Sequence, residues 1–207
     1  MKVEFYHQHT PETCGIACMY MVLHAFGLDF PTIAKERRDY ARYKSRIQLD
    51  DPKASLGTPS AAVAYALARR PELDVTIAHA SPNLIENRGE YYPTDLHASI
   101  LAEHRDYIAR AGSRLRLLAG QPITPEYLRA ELARDRLVIV EILIPSQADG
   151  MHDHTLHGVL LYGAEGDSFL ACDPDYGRRK YSAPELAALM NTPVGSLAIS
   201  VGRKQNM

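Results

Sequence analysis

The run from Cys14 to Phe26 (CGIACMYMVLHAF) constrains this chain more than any other feature. Its residues are apolar nearly all round a helix, with His24 as the interruption, and Gly27 follows as a C-terminal stop. A helix with no polar face has to be buried on every side. The stretch from Ile16 to Phe26 is too short to span a bilayer. It therefore belongs at the centre of a domain, and the other elements must be arranged around it. With 207 residues, 46% of them apolar, the chain has the material for one domain over residues 1–207 with a sizeable core.

The elements expected around that helix fall into two groups. Before the midpoint the pattern is helical. Pro31 to Tyr43 is amphipathic and charge-rich, Thr58-Pro59 reads as an N-cap and first position for a helix to Arg70, and Asp95 to Ala111 is a second charged helix. Thr124-Pro125-Glu126 starts another by the same logic, running to about Arg134. Short strands are expected at Val3 to Tyr6 and Leu73 to Ala78, and Arg46 to Gly57 reads as a loop. Later the pattern turns to strand. Leu137 to Ile144 (LVIVEILI) is a dense β-branched run, and His157 to Tyr162 (HGVLLY) and Ser168 to Cys172 (SFLAC) flank a turn signal, Ala164-Glu165-Gly166-Asp167. A short helix at Ser182 to Met190 and a strand at Ser196 to Val201 close the chain. Helices first and strands last point to an α+β fold with an antiparallel sheet.

Several function classes have no support. Charged residues make up 23% and the formal net charge is -2, so no nucleic-acid partner is expected. The sets Arg69-Arg70 and Arg178-Arg179-Lys180 read as solvated faces. No membrane span and no secretory leader is apparent, and three cysteines do not make a disulfide framework, so a cytoplasmic, reducing setting is expected.

The chemistry-bearing residues lie at the two ends. Cys14 opens the buried helix, where the positive end of the macrodipole favours a thiolate. Gly15 beside it permits a close approach by another backbone or a substrate. His157 and Asp173 flank the expected hairpin and come out nearly opposite each other. A cysteine nucleophile needs a histidine base whose second ring nitrogen donates to an acceptor, and Asp173 can be that acceptor. Pro174 ends the strand and holds the carboxylate at the sheet rim, with Asp175 as the alternative acceptor. Gln8, in the loop before Cys14, carries an amide that can donate to an oxyanion together with the Cys14 backbone N–H. The Cys14-to-His157 interval falls in the papain-like range of roughly 130–150 residues. Cys18 and Cys172 read as core thiols.

With these residues in view, QHTPETCGIACMYMVLHAFG resembles the nucleophile motif of the bacteriocin-processing, double-glycine leader peptidases and their stand-alone relatives in the papain-like cysteine peptidase superfamily. LHGVLLYGAEGDSFLACDPDYG resembles their histidine strand and Asp-Pro segment, and LGTPSAAVAYAL and TPEYLRAELARDRLVIVEI resemble their connecting elements. The resemblance implies a papain-like fold, with Cys14 as nucleophile, His157 as base, Asp173 as orienter and Gln8 as oxyanion donor. Residues 74–120 look longer than the minimal peptidase needs and read as a family-specific insertion.

Three functions fit these residues: a peptidase or related amide hydrolase, an acyl or γ-glutamyl transferase using the same thioester, and a non-catalytic peptide-binding module. Each takes a peptide or amide-containing partner. The cluster His152, His154 and His157, with His7 and His9, is rich in metal-ligand types. It does not match a zinc pattern such as H-E-x-x-H, and no metal or other cofactor is expected.

Overall fold

The computed structural model describes residues 2–29, 32–49, 56–145 and 154–204, the side chains of 145 and 154 excepted. The apolar run forms helix α1 (Cys14–Ala25), in which every residue from Ile16 to Leu23 is buried. A short 3-10 turn, Pro11–Thr13, leads into it. Gly27 ends it with a φ of 69°, a conformation open to glycine at little steric cost. The Gly27 N–H then reaches the His24 carbonyl and the Leu28 N–H the Leu23 carbonyl, satisfying two of the helix's last acceptors.

Helix α2 (Ile33–Tyr43) starts from Thr32, whose side chain accepts the Lys35 N–H; the expected start at Pro31 lies outside the described residues. Helix α3 (Ser60–Ala68) begins one residue later than expected. Pro59, at a ψ of 137°, is still extended and takes the cap position assigned to Thr58. The chain continues through β1 (Leu73–His79), α4 (Thr94–Ala111), β2 (Leu115–Ala119), α5 (Pro125–Leu132), β3 (Leu137–Pro145), β4 (His154–Glu165), β5 (Ser168–Asp173), β6 (Gly177–Ser182), α6 (Ala183–Met190) and β7 (Leu197–Arg203). The Thr124 and Ser182 side chains cap α5 and α6.

The strands make one sheet in the order β2-β1-β7-β3-β4-β5-β6. The α+β architecture is as expected, with two differences in detail. Strands β1 and β2 are not grouped with the later strands but sit between helices, and they pair in parallel while every other neighbour in the sheet is antiparallel. A parallel pair needs a crossover connection, and α4 supplies it. Residues 74–120 thus carry most of β1, all of α4 and all of β2, and they extend the sheet at one edge. β2 escaped the sequence reading because only Leu115 in it is well buried. β6 (GRRKYS) escaped because three consecutive basic residues are exposed along the other edge, where charge discourages further pairing. Val3 to Tyr6, expected as a strand, joins no ladder; side chains tether it instead, with Arg178 Nη2 donating to the Val3 carbonyl at 2.7 Å.

The sheet separates two cores. Helices α1 and α3, with Tyr107 of α4, pack with Leu160, Cys172 and Ile199 on one face. Helices α5 and α6 pack with Val159, Phe169 and Ala198 on the other. Alternation along each strand produces this division. It also fixes which side chains of β4 face α1.

Candidate active site

The site forms where β5 leaves β4 and the start of α1 takes its place. The β4–β5 ladder ends at the Leu160–Cys172 pair, while β4 continues alongside β3. Gly158 lies beyond that end, so its polar backbone groups have no β5 partner. Helix α1 takes both: the Gly158 N–H donates to Cys14 Sγ at 3.5 Å, and the Cys18 thiol donates to the Gly158 carbonyl at 3.4 Å. Cys14 is therefore docked at the first turn of α1 directly against the strand that carries His157. Cys18, read as a plain core thiol, also pins α1 to β4. Burial, and next the nearby charges of Cys14 and Asp173, push its pKa up and keep it protonated.

The sequence expectation placed His157 and Asp173 nearly opposite. In the structure the β4–β5 register shifts by one residue between Leu161 and Gly163, a bulge at Tyr162. Continuing the Leu160–Cys172 register sets Asp173 across from Val159, so His157 reaches it along the diagonal on the same face. The contact is made: His157 Nε2 lies 2.9 Å from Asp173 Oδ1. Both residues are buried, at 3% and 1% exposure. Asp173 Oδ1 also accepts the backbone N–H groups of Asp175 and Tyr176, at 3.0 and 3.2 Å, and Oδ2 accepts the Tyr181 hydroxyl at 3.4 Å. The backbone thus folds back over the carboxylate and fixes its orientation. Asp175 contributes its N–H to this turn, and Asp173 is the carboxylate bonded to the ring.

The electrostatics follow from these contacts. Burial alone would pull the His157 pKa down, but the hydrogen bonds to Asp173 and Cys14 and the charges of both outweigh it and raise the value to about 10. The direction favours the imidazolium form of the ring. Burial pushes Asp173 up, and the hydrogen bond and charge of His157, then the two backbone N–H groups, bring it below the usual carboxylate range. With Nε2 committed to Asp173, Nδ1 is the ring atom left for the sulfur. Asp173 is bonded to the His157 ring, Cys14 Sγ lies against the backbone N–H of the next residue, Gly158, and Cys14 is the partly exposed thiol of the three, Cys18 and Cys172 being buried.

Gln8 is 7% exposed, and its backbone N–H donates to the Pro174 carbonyl at 2.9 Å, which fastens it to the residue after Asp173. Its side-chain Oε1 is buried with no hydrogen-bond partner among the described residues. Gly15 permits a close approach, made by α3 and by the Thr58 backbone just before it. A Cβ there would stand 3.0 Å from Val63 Cγ2, so the missing side chain admits α3 against α1.

Two carboxylates near the site were not singled out from the sequence. Glu141 pairs with Gly158 across β3–β4, so it shares the face on which Cys14 sits, and the Ser60 hydroxyl donates to it. Burial raises its pKa, partly countered by Ser60. The signal was present as the lone charge within LVIVEILI. Glu36 on α2 is 1% exposed and accepts bonds from Tyr6 and His9. Its place on a charge-rich amphipathic helix disguised it as a solvated residue. Of the histidine cluster, His152 and the His154 side chain lie outside the described residues, and His9 is engaged by Glu36. Among the described residues no three metal-ligating side chains converge, and no helix is long and apolar enough to cross a membrane.

No sequence-family model and no curated protein sequence matches the chain. Solved structures do. A C39-like peptidase from Bacillus anthracis superposes with a TM-score of 0.60 at 12% identity, over 99% of this chain and 96% of that one. A double-glycine-motif protease from an AMS/PCAT transporter, determined with its leader peptide, gives a TM-score of 0.49 at 16% identity, covering 98% of this chain and 93% of that one. The peptidase domain of Streptococcus ComA, a bifunctional ABC transporter, gives 0.48 at 13% identity, covering 98% and 100%. From its mixed sheet, its central helix and the superposition on the Bacillus anthracis structure, this chain has the papain-like α+β fold of the C39-like peptidases.

Proposed function

We propose that the protein is a cysteine hydrolase that cleaves a peptide or other amide bond through a thioester on Cys14. The observation that carries this reading is the buried His157–Asp173 pair, 2.9 Å apart, set against the partly exposed sulfur at the start of α1. A histidine buried this deeply and still held as imidazolium serves little purpose in a core. Beside a cysteine it can supply the proton that a leaving amine needs. The C39-like peptidase fold supports a peptide as the substrate class.

In the proposed reaction the Cys14 thiolate attacks the carbonyl carbon and forms a C–S bond. The negative charge passes to the carbonyl oxygen, which the Gln8 amide and the Cys14 backbone N–H receive. His157 then gives its proton to the departing nitrogen, the C–N bond breaks, and an amine leaves. Neutral His157 next takes a proton from water, the hydroxide adds to the thioester carbon, and the C–S bond breaks to release a carboxylic acid and restore the thiolate. Asp173 remains a carboxylate throughout, holding the ring and stabilising its charged form.

The test is turnover of a library of peptidyl-coumarin amides, combined with intact-mass analysis of the trapped acyl-enzyme. The reading requires an adduct on Cys14 and loss of turnover in Cys14→Ala with the fold retained by circular dichroism. Undiminished turnover by that variant would end it.

A further inference from the structure

Glu36 is a carboxylate with almost no exposure, yet the proposed reaction makes no use of it. What it binds is confined to one short stretch of chain. Glu36 Oε2 accepts the Tyr6 hydroxyl at 2.7 Å and faces His9 Nδ1 at 2.5 Å, and Oε1 accepts the His9 backbone N–H at 3.1 Å. Tyr6 and His9 bracket Gln8. The Gln8 amide, in contrast, is not held by its own polar contacts, since Oε1 has no partner among the described residues. Its position depends on its backbone. That backbone is clamped from one side by the Pro174 carbonyl and from the other by the bonds that α2 makes through Glu36.

We propose that Glu36 is a positioning residue that holds the Gln8 amide where the oxyanion forms. The inference rests on the reading of Gln8 as oxyanion donor given above. Three features support it. The carboxylate is nearly inaccessible, so its bonds are made in low dielectric, where charge-assisted hydrogen bonds are strongest. Burial pushes its pKa up, but hydrogen bonds, those from the His9 N–H, Tyr6 and the His9 ring among them, outweigh this and bring it below the usual carboxylate range. His9 immediately precedes the Thr10–Thr13 capping turn that leads into Cys14, so the same carboxylate anchors the donor loop next to the nucleophile turn. An oxyanion donor is effective only when it is fixed before charge develops, because reorganisation during the reaction forfeits the gain. A loop without regular secondary structure needs an external anchor to meet that condition, and α2 provides it.

A double-mutant cycle tests the assignment on the intact chain with the peptidyl-coumarin library. Gln8→Ala is expected to lower kcat about 100-fold and Glu36→Gln about tenfold or more, with KM little changed in either. The double variant is expected to be no slower than Gln8→Ala alone, since an anchor has no effect once the anchored group is gone. Alkylation of Cys14 by iodoacetamide, a displacement with no oxyanion, should stay within about twofold of wild type in all three, which separates mispositioning from a damaged nucleophile. If Glu36→Gln does not fold, Tyr6→Phe removes one bond from the same carboxylate and should slow kcat in the same non-additive way. Should Gln8→Ala reduce kcat while Glu36→Gln and Tyr6→Phe leave it unchanged, or should their effects multiply with Gln8→Ala, the positioning role is overturned and the oxyanion reading survives. Unchanged kcat in Gln8→Ala overturns the oxyanion reading and the inference with it.

Discussion

Replacing Asp173 with Asn removes one charge from the site and keeps its shape. Asn retains an oxygen that can accept the Asp175 and Tyr176 N–H groups, so the turn over position 173 should persist. What is lost is the carboxylate at 2.9 Å from His157 Nε2. In the wild type the ring's pKa stands at about 10, against 6.5 for the free side chain. That difference is worth on the order of 5 kcal/mol between the two charge states. The sign follows from the direction. A histidine whose folded pKa is raised contributes stability that is fully present below 6.5 and lost as pH rises through 10. Asp173, held low, contributes stability above its ordinary 3.8 that is lost as pH falls through its depressed value. The wild type should therefore lose a few kcal/mol of unfolding free energy between about pH 6.5 and pH 10 through this ring. In Asp173→Asn, burial opposes the charge with only Cys14 left to support it, and the pKa should fall by about two pH units or more. The assay is ring-proton NMR across that pH range, with the His157 signal assigned by His157→Gln, alongside urea melts at pH 6.5 and 9. A wild-type ring that titrates at or below 6.5, or one whose titration Asp173→Asn does not move, would refute the argument.

Three other outcomes are expected. Iodoacetamide should label Cys14 at least tenfold faster than Cys18 or Cys172, both buried and both raised in pKa chiefly by that burial; equal labelling in the native state, followed by peptide mass mapping, would contradict the site geometry. Gly15→Ala should destabilise the fold by about 1–3 kcal/mol in urea melts, because its Cβ would meet Val63 Cγ2, and Val63→Ala should relieve most of that cost in the double variant. His79 and His104 face each other with Nε2 atoms 3.0 Å apart, and burial, offset in His79 by a backbone hydrogen bond at Leu84 and reinforced in His104 by its partner, lowers them to about 4 and 3. Because their folded pKa values lie below 6.5, the unfolded chain binds protons first as pH falls. Each ring should then cost about 2 kcal/mol of stability by pH 5, and His104→Phe should flatten that acid limb in melts between pH 7 and 5.

The place of Cys14 was legible because three local facts coincide on α1: an apolar surface that forces burial, a polar loop before it, and a cysteine at its first position. The His157–Asp173 partnership was legible because a hairpin turn lies midway between them and Pro174 ends β5. Its diagonal geometry was not, since the bulge at Tyr162 arises from pairing along the whole ladder and leaves no local mark. The edge strands β2 and β6 were missed for a related reason. One is largely exposed and the other basic, so neither shows the apolar alternation that identifies a strand.

What the amino-acid order determined by itself was short-range: a helix with no polar face, the cap at Thr124, the turn at Gly166, and the residues that can attack, carry a proton and accept one. The tertiary structure alone decided which carboxylates became buried and what they hold. Glu36 resembles many surface glutamates in sequence, and only the docking of the N-terminal loop on α2 removes it from water. The physical reason is that helix and turn formation depend on neighbours a few residues away, whereas burial of a charge depends on groups from distant segments arriving together to satisfy it.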